Sequence, residues 1–364
     1  MNRHLVVALS GHGYGHLAQV APVLEALRAR LPALRLTLLG ALPRSVVAAR
    51  LPLPFAYHPR SLDVGMVMED ALTVDVAASC HAYARFHARW QQGMAQDAAL
   101  LERLAPDYLL CDVPYRILAA AAQVGVPAAA LCSLNWADIY AHFCGQQDTA
   151  AAILAEIEAA YGQAEVFYQP APSMPMPRLP HRQAIGPLAR SGRSRRAELA
   201  QGLRLRPQER LGLVSLGGIP TRLDLSRWPS QPGWRWIVPA AWHVERPDLV
   251  ALESLALPFP DVLRSADVLL TKPGYGSFAE AACNGVPVLY VPRKDWPEER
   301  WLVSWLKRVG RCAPLSLAAL RQGRVVAAGN ALVADGPPPA LAPSGVAALA
   351  ARLAARLSGG ASNG

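Results

Sequence analysis

The chain has 364 residues, 52% of them hydrophobic and only 17% charged. That supplies enough apolar surface for large cores, argues against intrinsic disorder and, at this length, predicts two domains. The formal net charge is +9, carried mainly by arginine in runs such as "RSGRSRRAEL" and "RLRPQER". These runs lack interleaved aromatic residues and no recognition motif accompanies them, which argues against nucleic acid as a partner. Two readings of the charge stand: arginine-rich background composition, or attraction to anionic substrates and an anionic membrane face.

Six cysteines, Cys80, Cys111, Cys132, Cys144, Cys283 and Cys312, show no CxxC and no metal-ligand spacing. Several lie inside apolar runs such as "YLLCD" and "AAALCS", and all six read as buried thiols of a reducing compartment. The apolar run at the N-terminus is too short for a signal peptide. The run "ILAAAAQVGVPAAALC" is broken by Gln123, Gly125 and Pro127, so it does not read as a membrane span. A cytoplasmic location is expected.

In chain order, "HLVVALS" (4–10) reads as a buried strand, "LAQVAPVLEALRARL" (17–31) as a helix and "RLTLLGA" (35–41) as the next strand. One or two helices are expected over 63–105. Strand, helix and strand then repeat at "DYLLCDV" (107–113), "ILAAAAQVG" (117–125) and "PAAALCS" (127–133), and "AEVFYQP" (164–170) closes this half. A proline- and arginine-rich connector follows, after which the pattern restarts. "RLGLVSLGG" (210–218) and "GWRWIVPA" read as strands, "FPDVLRSA" as a short helix and "DVLLTKPG" as a strand. "YGSFAEAACNG" reads as a helix and "VPVLYVPR" as a strand. An alanine-rich helix (345–357) and the tail "SGGASNG", expected to be disordered, end the chain. Continuously apolar strands separated by helices imply parallel sheets covered on both faces. The predicted architecture is α/β: two doubly wound, Rossmann-like domains facing a cleft. Their predicted limits are 1–184 and 185–345, with 346–364 as C-terminal helix and tail.

Ligands of such sheets bind at the carboxyl ends of the strands. Three glycine turns fall there: GHGYGH (11–16), SLGG (215–218, with Gly217 and Gly218) and KPGYGS (272–277). None is GxGxxG, which disfavours a nicotinamide cofactor, and none is GxxxxGK[ST], which disfavours a P-loop kinase. No cofactor is expected. In "TKPGYGSFAE" a strand delivers a glycine turn that opens a helix. Backbone N–H groups of Tyr275, Gly276 and Ser277 would meet an anion, helped by the positive helix end. Glu280, expected on the first turn, would repel phosphate but suits the vicinal hydroxyls of a ribose. The alternative is an ordinary capped helix start.

This stretch resembles the nucleotide-binding signature of the GT-B glycosyltransferases, which include the plant and antibiotic UDP-sugar transferases and the peptidoglycan N-acetylglucosaminyltransferase. The plant motif HCGWNSxxE is matched by "KPGYGSFAE" at Gly274, Ser277 and Glu280, with Lys272 in place of the histidine. The resemblance implies Ser277 on phosphate and Glu280 on ribose. Lys272 is either a further charge on the pyrophosphate or a plain strand-end lysine. "NGVPVLYVPRKDWPEE" resembles the family's GxPxxxxPxxxDQ, but Trp296 and Pro297 fall at the DQ pair, with Glu298 and Glu299 just beyond. The two glutamates are the candidates for the donor sugar.

The opening loop then has a chemical reason. A transferase must deprotonate an acceptor hydroxyl, and an imidazole does so near neutral pH. "GYGH" resembles the GGH of the peptidoglycan enzyme, which implies His16 as general base, with His12, Gly13 and Gly15 lining the cleft. In the plant enzymes an aspartate at the end of the "LLCDV" strand pairs with the catalytic histidine, and Asp112 falls there. It either orients His16 or caps the next helix. Asn135, Trp136 and Asp138 are candidates for the acceptor pocket. A metal site on His12 and His16 lacks a third ligand in the sequence, so no metal is expected. The implied activity is metal-independent transfer from an NDP-sugar, with UDP favoured, to an unidentified acceptor hydroxyl. "GYGHLAQ" also resembles the GxGHxxR loop of a UDP-sugar hydrolase of pseudaminic acid synthesis, with Gln19 where that loop has Arg. Hydrolysis, and nucleotide-sugar binding without turnover, are the alternatives.

Overall fold

A computed structural model describes residues 3–217, 225, 228–243 and 245–359. Gly218 and the last five residues of the predicted tail lie outside the described residues. The described residues divide into two units: one runs up to Glu69, over Val74–Leu188 and from Ser344 on, the other over Asp70–Thr73 and Ala189–Pro343.

The first unit is built on a seven-stranded parallel sheet. Its strands are β1 (His4–Leu9), β2 (Arg35–Gly40), β3 (Ala56–Pro59), β4 (Tyr108–Asp112), β5 (Ala128–Leu131), β6 (Val166–Pro170) and β7 (Arg182–Ile185). Their spatial order is β3-β2-β1-β4-β5-β6-β7. Every residue of β1, β4 and β5 is buried, which is why these strands read as unbroken apolar runs. A side chain on either face meets a helix, and each buried leucine or valine contributes about 1.5–3 kcal/mol of transfer free energy. The strand order reverses at β1/β4, where ligands of open parallel sheets bind.

Strand β7 lies inside the stretch expected to be a bare connector. Three of its four residues are exposed, so no hydrophobic pattern announces it, and pairing with β6 alone makes it a strand. The C-terminal helix Ser344–Gly359 is not a separate appendage. It belongs to the first unit, where Gly345 N–H donates to Pro187 O and Arg356 pairs with Glu165 at 2.6 Å. The cysteines also depart from expectation: Cys80 and Cys144 are bridged, with Cα atoms 5.6 Å apart. The bridge joins helices Val76–Ala88 and Trp136–Cys144. The other four cysteines are free thiols.

The second unit carries a six-stranded parallel sheet. Its strands are β8 (Arg210–Ser215), β9 (Trp234–Val238), β10 (Leu249–Ala251), β11 (Val268–Thr271), β12 (Val288–Tyr290) and β13 (Cys312–Pro314). The order is β10-β9-β8-β11-β12-β13, with its reversal at β8/β11. Trp234 and Trp236 stack at 5.1 Å in its core. Leu72, from the short segment Asp70–Thr73, joins that core, and its carbonyl accepts from Lys294 N–H. The small edge strands β10 and β13 were not anticipated; three residues are too few for a periodic signal.

Candidate functional site

In the first unit the strand-order reversal is occupied by an imidazole paired with a carboxylate. Asp112 ends β4, and its backbone carbonyl accepts from Ser10 N–H at the end of β1 at 2.8 Å. The loop GHGYGH follows β1, and the helix Gly15–Arg30 starts within it, so His16 lies in its first turn. There His16 Nδ1 and Asp112 Oδ1 are 2.8 Å apart, with both side chains buried. An ionised carboxylate only accepts, so Nδ1 carries the proton and donates, and the lone pair falls on Nε2. Asp112 does not cap the following helix, Arg116–Gln123, whose N-cap is Tyr115 with no side-chain bond. Burial raises the Asp112 carboxyl pKa above its ordinary range, against the pull of the neighbouring imidazole.

Asp63 is the residue that sequence reasoning missed. It lies in a stretch without helix or strand, and its carboxylate accepts from Trp136 Nε1–H at 2.8 Å. Burial raises its pKa too, opposed by the Ser10 hydroxyl, the His16 charge, Trp136 and the Gly11 N–H. Its only sequence signal is a lone carboxylate in the apolar stretch "SLDVGMVM". The same stretch covers the glycine loop. Gly65 has φ +63°, and a Cβ there would come within 2.9 Å of the His12 side chain. Glycine is required at that position by both the backbone angle and the close approach. His12 itself stands edge-on to Trp136 at 5.4 Å, and Met66 N–H approaches its Nδ1 at 3.4 Å. Gly13 and Gly15 have open space where a side chain would project.

The proposed acceptor residues are largely spent on structure. Asn135 is the N-cap of helix Trp136–Cys144, accepting from Asp138 N–H at 2.9 Å and donating to the Asp138 carboxylate at 2.8 Å. Trp136 is fully buried. Cys132, at the end of β5, places its Sγ 3.7 Å from His16 Nδ1. With His16 and Asp112 it forms a group whose ligand atoms all lie within 4.8 Å of one another, close enough to hold a metal ion. This group leaves out His12, the other histidine of the sequence reading, and takes Asp112 from β4 and the thiol that follows β5 instead.

In the second unit the corresponding strand ends carry cations and glycines. Helix Tyr275–Asn284 begins at Gly274, its N-cap, and no side chain caps it. Tyr275, Gly276 and Ser277 make up its opening turn, as expected. Glu280 sits on the second turn rather than the first and is buried. Gly217 follows β8 with φ +83°, and a Cβ there would lie 3.4 Å from Lys272 Cε. The left-handed backbone angle favours glycine there, beside the lysine that leaves the end of β11. Burial, followed by the nearby Arg293 charge, pulls the Lys272 pKa down to about 7, while Glu298 and Asp70 act the other way. Beyond β12, the two candidate sugar-binding carboxylates are engaged: Glu299 accepts from Arg293 N–H at 2.8 Å and Glu298 from Trp296 Nε1–H at 3.2 Å.

Solved structures with the same arrangement of elements are glycosyltransferases. The chain superposes on the glycotransferase of kitacinnamycin with a TM-score of 0.61, at 19% identity, over 98% of this chain and 95% of that one. The fold is GT-B. A UDP-glucosyltransferase from Polygonum tinctorium matches with a TM-score of 0.59 at 16% identity, covering 98% of this chain and 99% of that GT-B enzyme. Arabidopsis thaliana UGT89C1, solved with UDP, matches with a TM-score of 0.56 at 15% identity over 96% and 94%. No family model matches the sequence. A curated relative, the L-arabinokinase of Arabidopsis thaliana, is 27% identical over 315 residues, or 84% of this chain. The GT-B chain spans only 30% of that relative's length.

Proposed function

We propose that the protein is a glycosyltransferase that moves a sugar from an NDP-sugar, with UDP favoured, to an acceptor hydroxyl. The observation that carries this reading is the His16–Asp112 pair at 2.8 Å, at the strand-order reversal of the first unit. A buried carboxylate on Nδ1 leaves Nε2 as the base that takes the acceptor's proton, and it stabilises the imidazolium that forms. The second unit holds the donor: helix N–H groups of Tyr275, Gly276 and Ser277 with Lys272 on the diphosphate, Glu280 on the ribose, and Glu298 and Glu299 on the sugar. The GT-B neighbours solved with a nucleotide support a donor of this class. The relative's kinase name attaches to a chain of which this one covers 30%, and the sequence has no P-loop motif to support that activity.

The deciding experiment incubates the protein with UDP-, dTDP- and GDP-sugars, with and without a cell extract as acceptor source. NDP release that depends on the extract is the expected result. Release in water alone would make the protein a hydrolase, and binding without turnover a nucleotide-sugar module. The transfer is proposed to need no metal. Full activity should survive EDTA, whereas loss on chelation with rescue by Mg²⁺ or Zn²⁺ would overturn this and direct attention to His16, Asp112 and Cys132. No helix among the described residues is long and apolar enough to cross a membrane. Contact with an anionic membrane rests on net charge alone, and vesicle sedimentation tests it. The cytoplasmic placement is set against the Cys80–Cys144 bridge, which favours an oxidising compartment. Thiol trapping of the protein in its own cells decides between them.

A further inference from the structure

Arg293 has no part in the reading so far, and its surroundings are unusual. It follows β12 by three residues, at the same sheet edge where Lys272 leaves β11 and Gly217 follows β8. Its side chain is only 6% exposed, yet Nε and Nη2 have no hydrogen-bond partner among the described residues. The two carboxylates beside it stand beyond hydrogen-bond reach, Glu298 at 3.8 Å and Glu299 at 3.9 Å. Both are held back by other donors, the Trp296 indole and the Arg293 backbone N–H. The guanidinium carbon instead lies over the Trp296 ring, 4.4 Å from its centroid. It is thus fixed in orientation, partly compensated in charge and unsatisfied in hydrogen bonding.

A buried guanidinium with two unmade hydrogen bonds is costly. Its planar fork is suited to a phosphate or carboxylate, which it binds through parallel N–H donors. Lys272, half-buried where it leaves β11, is the second cation at these strand ends. The two are close enough for the Arg293 charge to disfavour protonation of Lys272. A buried guanidinium with donors to spare and a second cation close by form an arrangement that an arriving dianion would stabilise.

We propose that Arg293 and Lys272 together form the diphosphate seat of the second unit, with the Nε–H and Nη2–H of Arg293 gripping the leaving group. This rests on the nucleotide-sugar reading only for the identity of the group attached to the diphosphate. Arg293 follows the strand after the glycine-turn helix and falls at a position that the GxPxxxxPxxxDQ pattern leaves unspecified. The carboxylates beside it then have a reason: they keep the guanidinium from being a bare buried charge before the anion arrives, without consuming the donors it needs.

Calorimetry on the full chain tests the seat with inorganic pyrophosphate, with UDP, dTDP and GDP, and with the corresponding nucleosides. The variants are Arg293→Gln and Arg293→Lys, with unliganded thermal unfolding as the check on folding. Arg293→Gln should lose about ten- to a hundredfold in affinity for pyrophosphate and for the nucleotide that binds, as expected for two charge-assisted hydrogen bonds. Nucleoside affinity should hold, and Arg293→Lys should recover part of the loss, since it restores charge without the fork. Wild-type affinity for pyrophosphate in Arg293→Gln, or an equal loss for nucleosides, would overturn the proposal and leave Arg293 a structural partner of Trp296. A wild-type protein that binds pyrophosphate but no nucleotide would sustain the seat and overturn the nucleotide-sugar reading. One that binds neither overturns both.

Discussion

The two strand-order reversals of this chain, β1/β4 in the first unit and β8/β11 in the second, have the same wiring and opposite chemistry. At β1/β4 the end of β4 and the loop stretch after β3 present carboxylates, and these are partnered: Asp112 with His16, Asp63 with Trp136. At β8/β11 and the neighbouring β12 the strand ends present cations, Lys272 and an Arg293 whose Nε and Nη2 donors are not used up. The doubly wound sheet therefore supplies a place where loops converge, and the few residues that leave each strand decide what that place does. A satisfied polar cluster holds one imidazole in one tautomer, which suits proton transfer. A guanidinium with unmade hydrogen bonds beside a second cation is stabilised further when an anion comes, which suits binding.

The comparison is broken most severely at His16. His16→Ala should lower turnover by about 10²–10⁴, the range of a lost general base, while NDP affinity measured by calorimetry stays near wild type. Asp112→Asn should also lower turnover, and the double variant should be little worse than His16→Ala alone, because the pair acts as one unit. Multiplicative losses would show that Asp112 works independently.

The second unit should show the reverse pattern. Glu280→Ala should weaken nucleotide binding about tenfold or more, the equivalent of roughly 1–3 kcal/mol for a lost buried acceptor. Unchanged affinity for every nucleotide would remove the ribose assignment.

Smaller in effect is the titration of Lys272. Its folded pKa of about 7 lies below the ordinary 10.5, so between these values the unfolded chain binds more protons and stability rises with pH. Below about pH 7 both states are protonated and the burial penalty is fully present. Lys272→Met should therefore melt a few degrees higher than wild type at pH 6–7, with the difference shrinking toward pH 10. A difference independent of pH would mean that Lys272 is not buried as a charge.

The smallest effect is expected at Asn135. Asn135→Ala should cost about 1 kcal/mol of stability, as for a lost N-cap, seen as a modest fall in Tm with turnover retained. A large loss of turnover without a fall in Tm would return Asn135 to the acceptor pocket.

Much of this was legible along the chain. The buried strands were readable because both faces of a parallel sheet are apolar, and the glycine turns because a chain must bend where a strand hands over to a helix. Asp112 ends a strand and His16 opens the helix beyond a glycine turn, and both were named because these turns resemble glycosyltransferase motifs. Strand β7 was not, because three of its four residues are exposed and only pairing defines it. Nor was the return of helix Ser344–Gly359 to the first unit, since an amphipathic face does not name the surface that covers it. Asn135 and Asp138 were read as pocket residues, although an Asn three positions before an Asp at a helix start also spells a cap.

Local sequence thus determined the buried central strands, which turns are glycine-built and which residue types stand at their ends, because periodicity and backbone freedom act over a few residues. Tertiary structure alone decided the rest. It brought Asp63 and Cys132 to an imidazole that is, respectively, 47 and 116 positions away in the chain. It also joined Cys80 to Cys144 and set Arg293 beside Lys272 without partners for its donors. Partnership and burial are properties of a position in space, and no local pattern carries them.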